Sequence, residues 1–334
     1  MEIREDKNSI FQVNLFYLLM GLVLLTLGGF IMSKNILIGS LITSYILVYL
    51  TSLIYTRIKG YDIRETFKLN KISPRQGFLS GLIVIFAYPL GIFINYLVLL
   101  LIGLFVELKT PSIPLPNTPS ELWISLFVIA LSPGICEEFM FRGLIMSVYD
   151  KLGKKKAILY SAFLFGIFHF NLQNFIGPFL LGIVFGIMVY KTNSIYPAMI
   201  GHTVNNSISM IISYFANNSM DIMENMDMSE NPMAVDMNQY FIIGIIILGI
   251  IVLALGAIAL TILRSLPEDR EMDESSRDYI YEGVENNVNY GEYYDVNYNG
   301  DYIENQWKTP AYSYIPIIIV MGIYIFYNYM IFTL

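Results

Sequence analysis

The sequence predicts an all-α protein: a polytopic bundle of about nine transmembrane helices, with eight as the alternative count and a cytoplasmic N-terminus. Hydrophobic residues make up 55% of the 334 residues and charged residues 14%, whereas a soluble domain carries about 25% charged residues. The apolar residues also cluster in blocks of roughly 20, the length of helix that crosses a hydrocarbon core. Too few polar residues remain to coat a soluble core, so we expect a multi-pass protein of the plasma membrane.

Hydropathy and turn-forming residues place the predicted spans along the chain. The connectors between them contain helix-breaking sequences, such as Ser73-Pro74 and the proline-rich stretch 110–119. The predicted spans cover residues 10–32, 36–55, 78–106, 121–147, 157–170, 175–190, 195–216, 239–263 and 312–334.

These spans divide the chain into four predicted parts. Residues 1–77 form an N-terminal two-span segment with its cytoplasmic loop, and residues 78–216 form the core. Residues 217–238 form an acidic, Met-rich outer loop. Residues 239–334 hold the C-terminal spans, with an acidic insertion rich in Tyr and Asn at 264–310.

The basic residues predict the orientation, because Lys and Arg accumulate on cytoplasmic loops. With the N-terminus inside, 17 of the 20 Lys and Arg residues face the cytoplasm, and Lys34 and Lys109 face outward. The one that remains, Arg142, falls within the fourth predicted span. This asymmetry supports the N-inside arrangement.

The acidic segments bear on the partners of the protein. Residues 264–310 hold twelve Asp and Glu against four Lys and Arg, and residues 217–238 hold five acids and no basic residue. These charges argue against a nucleic-acid partner, so we expect the partners to be membrane lipids and a peptide or lipidated-protein substrate. The composition of the 264–310 insertion also predicts a largely disordered segment.

Ionisable side chains within a span are costly, about 2.5–3.5 kcal/mol each on insertion scales, so they mark functional sites. The fourth predicted span contains Glu137-Glu138-Phe-Met-Phe-Arg142. Glu138 and Arg142 are four residues apart and share a helix face, which predicts an ion pair. Glu137 points about 100° away from Glu138. A purely structural ion cluster would explain the pair but would leave Glu137 as an unpaired acid in the membrane.

The chain has two histidines, His169 and His202, and both fall in predicted spans. Asn206 follows His202 by about one helical turn and shares its face. Counted from the predicted cytoplasmic connectors, Glu138, His169 and His202 lie about 15, 20 and 16 Å into the membrane. A single intramembrane histidine is typical of a hydrogen-bonded packing residue, but three polar side chains at one depth indicate a common site.

These residue types predict a hydrolytic site. A carboxylate and an imidazole can hold a water, and the carboxylate takes its proton as the water attacks a carbonyl. A second histidine and an Asn amide suit the oxyanion of the intermediate. Glu137, His169 and His202 could instead hold zinc with an open position for water, although the chain has no HExxH sequence. We expect no cofactor, with zinc as the alternative.

The motifs EExxxR, FxxxH and HxxxN, in that order on separate predicted spans, resemble those of the CPBP family. This family comprises CAAX proteases and bacteriocin-processing enzymes, also called Abi proteins or type II CAAX prenyl endopeptidases. The resemblance covers roughly residues 78–216 and leaves the acidic insertion and the last span outside. It implies that Glu138 and Arg142 support the site.

The same resemblance implies a role for the other motif residues. Glu137 and His169 would activate the water, and His202 and Asn206 would bind the oxyanion. Asn205, adjacent to Asn206, is an alternative donor.

Together these observations predict an intramembrane endopeptidase, a hydrolase of the glutamate or metallo type. Its substrate would be a membrane-associated peptide, either a prenylated CAAX tail or a leader-type peptide. The alternative is a non-catalytic immunity or binding protein on the same scaffold. Intact motifs argue against this alternative, because a silent scaffold does not require a free Glu137. A transporter is a third hypothesis, but no pair of broken-helix repeats supports it.

Overall fold

The computed structural model describes residues 9–109, 115–224, 237–268, 294–296, 302–304 and 309–333. The ten helices of these residues are α1 (Ser9–Lys34), α2 (Ile36–Ile58), α3 (Ile63–Thr66), α4 (Pro74–Gly103), α5 (Pro119–Leu152), α6 (Lys154–Ile167), α7 (Ile176–Thr192), α8 (Tyr196–Glu224), α9 (Met237–Ser265) and α10 (Ala311–Thr333). Two three-residue strands, β1 (Tyr294–Val296) and β2 (Tyr302–Glu304), pair antiparallel. Apart from this small pair, the described chain is helical, which confirms the predicted all-α class.

Seven of the described helices are long and apolar enough to cross a membrane, fewer than the nine predicted. The two predicted spans outside this set are 157–170 and 195–216, which correspond to α6 and α8. Helix α6 has 14 residues, about 21 Å of helix against a hydrocarbon core of about 30 Å. Helix α8 is long enough but carries the polar run that begins at His202. The protein is thus an integral membrane protein, with two short or polar helices packed among its apolar spans.

Local capping sequences fix where the central helices begin. The Ser73 hydroxyl accepts a hydrogen bond from the Gln76 amide, the Gln76 side chain accepts one from the Ser73 amide, and Pro74 follows at the first helical position. This capping box starts α4 four residues before the predicted span. Thr118 caps α5 in a similar way, with Pro119 after it.

Helix α5 lies at the centre of the bundle, in contact with α1, α2, α6, α7 and α8. Eight consecutive residues, 139–146, are buried on every side of this helix. A helix buried all round belongs to the interior of a large assembly of helices. Glu138 and Arg142 are therefore enclosed by protein, which removes them from contact with lipid.

Glycines set the close approach of the helices around α5. A Cβ added at Gly182 would lie 2.8 Å from the Ala162 Cα, and one added at Gly186 would lie 3.1 Å from the Ile158 side chain. Helices α6 and α7 therefore pack in close contact, as the small-xxx-small spacing of the two glycines predicts.

Two predicted loops are shorter in the structure or fall outside it. Helix α8 continues to Glu224 and α9 begins at Met237, so the predicted outer loop 217–238 is partly helical. Its residues 225–236 lie outside the described part of the chain. Most of the 264–310 insertion also lies outside, and the strand pair departs from the disorder predicted for that segment.

Candidate active site

The backbone of α5 is irregular around the two glutamates. Residues Leu126–Leu131 and Phe139–Ile145 form widened π-helical turns, and the short α-helical stretch Ser132–Glu138 lies between them. Such turns are frequent at functional sites because they change the direction in which side chains leave the helix. Pro133 adds a local cause, since it has no N–H to donate to the carbonyl four residues earlier.

Glu138 is the shared acceptor at the centre of the site. It is fully buried, and its Oε1 lies 3.1 Å from Nη1 of Arg142 and 2.8 Å from Nδ1 of His202. The predicted pairing with Arg142 is confirmed. The bond to His202 joins α5 to α8 and was not expected from the sequence.

Arg142 is enclosed by aromatic rings and by a glycine. Its guanidinium carbon lies 4.3 Å from the ring centroid of Phe165 and 5.3 Å from that of Phe185. A Cβ at Gly182 would come within 3.0 Å of the Arg142 Nη2 atom. Stacking on aromatic faces stabilises a desolvated guanidinium, so this environment offsets part of the cost of burying Arg142.

His202 is held in one orientation from two directions. Its ring stacks on Phe185 with centroids 5.6 Å apart and meets the edge of Phe165 at 5.5 Å. Because an ionised carboxylate only accepts, the bond to Glu138 places a proton on Nδ1. The Nε2 atom makes no hydrogen bond among the described residues, and it can donate one only when the imidazole is protonated.

His169 follows the C-terminal end of α6. Its Nδ1 lies 3.0 Å from the backbone oxygen of Phe165, one turn earlier. A carbonyl oxygen accepts and cannot donate, so the proton is on Nδ1 and the Nε2 lone pair of neutral His169 is free to accept. The Phe165 ring touches His169 at a centroid distance of 5.3 Å, and it therefore lies against both histidines.

Asn206 and Asn205 form a small amide chain on α8. The Asn206 amide nitrogen lies 3.3 Å from the carbonyl of Ile129, and the Asn205 amide donates to the Asn206 side-chain oxygen at 3.0 Å. The Ile129 carbonyl receives no helical hydrogen bond from Pro133, four residues later, because proline has no N–H. Asn206 is thus anchored to α5, and Asn205 orients Asn206.

Glu137 differs from its neighbour in having no direct partner. Within the described residues its half-buried side chain makes no hydrogen bond and no ion pair. Its carboxylate interacts electrostatically with the imidazole of His169. The structure therefore joins Glu138, Arg142 and His202 by direct contacts, whereas Glu137 has no direct hydrogen bond or ion pair among the described residues.

The alternative zinc ligands, Glu137, His169 and His202, would have to lie together in the structure. Among the described residues, no three His, Cys, Asp or Glu side chains come together as metal ligands would.

Some residues of the site carry no charge and were missed by sequence reasoning. Phe165 contacts both histidines and the guanidinium, and Phe185 contacts His202 and the guanidinium. Gly134 permits the contact of α5 with α8, because a Cβ there would lie 2.4 Å from the Thr203 hydroxyl. The FxxxH motif contains Phe165 and places its backbone carbonyl one helical turn before His169, so this residue could have been found from the sequence. No local pattern distinguished Phe185 from other apolar residues of its helix.

Comparison with known proteins agrees with the motifs. Residues 119–208 match the family model of type II CAAX prenyl endopeptidase Rce1-like proteins. This stretch contains both glutamates, the arginine, both histidines and the two asparagines described above. No curated protein and no solved structure matches the chain. Residues 119–208 are therefore similar to Rce1-like type II CAAX prenyl endopeptidases, and this similarity covers 90 of the 334 residues.

Proposed function

We propose that the protein is an intramembrane endopeptidase that cleaves a membrane-associated peptide with a water activated by Glu137 and His169. The observation that carries the proposal is the unequal environment of the adjacent glutamates. Glu138 is occupied by Arg142 and His202, whereas Glu137 has no partner among the described residues. A carboxylate whose oxygens make no direct hydrogen bond or ion pair has both oxygens available to accept a proton from water.

The geometry of His169 suits the first step. A water between the two groups would donate one hydrogen to the Glu137 carboxylate and the other to Nε2 of His169, the nitrogen left free by the bond to Phe165. As the water oxygen bonds to the carbonyl carbon, its proton passes to Glu137. The π electrons of the carbonyl move to oxygen and form the oxyanion.

The second half of the reaction uses α8. Protonated His202 would donate from Nε2 to the oxyanion, with Glu138 offsetting its charge through Nδ1. The Asn206 amide, anchored at Ile129, would be the second donor. When the C–N bond breaks, Glu137 delivers its proton to the leaving nitrogen, so the products are an acid and an amine.

The similarity of residues 119–208 to CAAX prenyl endopeptidases and the location of the site among apolar helices support a choice of substrate class. We propose a prenylated CAAX tail or a leader-type peptide. Purified protein in proteoliposomes would be incubated with farnesylated, geranylgeranylated and leader-type peptides, with and without a chelator, and the products identified by mass spectrometry. We expect cleavage of at least one class, unaffected by the chelator. Failure to cleave any of them would favour the non-catalytic binding protein, and loss of cleavage with the chelator would contradict the metal-free mechanism.

A further inference from the structure

The loop that carries His169 reverses the chain between α6 and α7. A 3₁₀ turn, Leu172–Asn174, follows it before α7 begins. Phe170 in this loop has a φ of 46°, in the left-handed region that bulky residues rarely adopt. Such a conformation persists only where surrounding contacts hold it. The residues that hold this loop therefore help to determine where His169 lies.

Asn328 of α10 binds the loop on the C-terminal side of His169. Its Oδ1 accepts the Leu172 amide at 2.7 Å, and its Nδ2 lies 3.4 Å from the Phe170 carbonyl. The same nitrogen donates to the carbonyl of Tyr324 within α10 at 2.8 Å. Asn328 is 5% exposed, so these bonds form in a buried environment where an unpaired amide would be costly.

Helix α1 holds the other side of the loop. A Cβ at Gly21 would lie 3.0 Å from the ring of Phe170, so the glycine makes room for that ring. The Tyr17 hydroxyl donates to the carbonyl of Leu164 near the end of α6 at 2.8 Å. The Tyr327 ring of α10 meets the Phe170 ring edge-on at 6.5 Å. Two helices from opposite ends of the sequence thus enclose the segment on both sides of His169.

We propose that Asn328 is a positioning residue for His169, and that α1 and α10 complete a site whose chemical groups all lie between residues 119 and 208. Both helices fall outside the matched family region. The inference rests on the proposed function for its effect on hydrolysis. The structural part of the inference, that Asn328 determines the environment of His169, does not depend on hydrolysis and can be tested without it.

The chain offers a direct probe, because it contains only two histidines. Full-length protein in nanodiscs, labelled with ¹³C and ¹⁵N at histidine, would give two sets of ring signals, assigned with His169→Gln and His202→Gln. We expect Asn328→Leu to shift the His169 signals and leave those of His202 in place. An unchanged His169, or an equal shift of both histidines, would overturn the inference.

The matched control is Asn14→Leu. Asn14 is also a buried amide between the same two helices, bonded to the Ser313 carbonyl at 2.8 Å and to the Tyr149 hydroxyl at 2.7 Å. It does not touch the His169 loop, so we expect both histidines to keep their wild-type signals. A shift of His169 in Asn14→Leu as large as that in Asn328→Leu would show general loosening of the helices and overturn the assignment.

Should Asn328→Leu fail to fold, a second variant perturbs the His169 loop from α1 without removing a polar group. Gly21→Ala pushes on the Phe170 ring, whereas Gly28→Ala meets only ordinary contacts of 3.5 Å or more. We expect His169 to shift in the first and not in the second. Equal spectra for the two variants would contradict the inference.

Measurement of peptide turnover distinguishes a failure of this inference from a failure of the proposed function. We expect Asn328→Leu to lower kcat by about ten- to a hundredfold with little change in KM, because a small misplacement of a reacting group slows the chemical step. If the wild type cleaves peptides and Asn328→Leu is as fast, positioning by Asn328 is wrong. If the wild type cleaves nothing but His169 shifts as expected, the proposed function fails and the positioning role stands.

Discussion

Oε1 of Glu138 lies 2.8 Å from Nδ1 of His202, so a buried carboxylate of α5 orients an imidazole of α8. The same oxygen also accepts from Arg142 at 3.1 Å. Glu138 thereby bonds directly to two potential cations, whereas the adjacent Glu137 makes no direct hydrogen bond or ion pair among the described residues. This asymmetry is the basis for proposing Glu138 as the supporting group and Glu137 as the reacting group.

The first prediction concerns stability. Glu138→Ala removes the acceptor of both Arg142 and His202, and breaking a buried ion pair costs about 3–5 kcal/mol. Glu137→Ala removes no direct partner, so it should be tolerated better. Thermal unfolding in detergent would compare the two variants. Equal melting temperatures would contradict the pairing of Glu138 with Arg142 and His202.

The second prediction separates the two asparagines. Asn206→Ala removes a proposed oxyanion donor and should lower kcat by about a hundred- to a thousandfold. Asn205→Ala leaves that donor in place and removes only the group that orients it, so its effect should be smaller. Single-turnover kinetics with a cleaved peptide would measure both. A larger loss for Asn205→Ala would assign the donor role to Asn205.

The third prediction concerns the packing of α5 against α8. Gly134→Ala places a Cβ 2.9 Å from the Thr203 backbone nitrogen, which forces the two helices apart and should destabilise the protein by about 1–3 kcal/mol. Gly91→Ala in α4 is the matched control, because a Cβ there meets nothing within 4 Å. Wild-type melting of the Gly134 variant would argue against the close approach.

The fourth prediction concerns orientation. The excess of Lys and Arg predicts that the loop between α5 and α6 is cytoplasmic and that the loop between α1 and α2 is outside. After Cys136→Ala, a cysteine at the exposed position of Ser33 should react with an impermeant maleimide in intact cells, and one at Lys155 should be protected. The reverse pattern would invert the topology.

Contacts within one helix of the site could be predicted from the sequence, whereas contacts between helices could not. The pair of Glu138 with Arg142 follows from a spacing of four residues on one helix, and this prediction is confirmed. The bond from Glu138 to His202 joins residues 64 positions apart. It depends on the close approach of α5 and α8 at Gly134, and no local pattern encodes that approach.

The fold shows the same limit. Apolar blocks located the long helices, but α6 is too short, and α8 too polar, to join the set of apolar spans. Asn328 is a polar residue in an apolar helix, a signal the sequence does contain. Its partners in the His169 loop lie 156 and 158 positions away, and they become visible only once α10 is seen packed beside that loop.

The central claim is that Glu137 is the base that activates the water. Glu137→Gln keeps the size of the side chain and removes its basicity, and Glu107→Gln makes the same change at an exposed position outside the site. With both variants purified and folded, turnover of a cleaved peptide is the most direct test. We expect Glu137→Gln to lose activity by several orders of magnitude while Glu107→Gln matches the wild type. Near wild-type turnover by Glu137→Gln would contradict the mechanism.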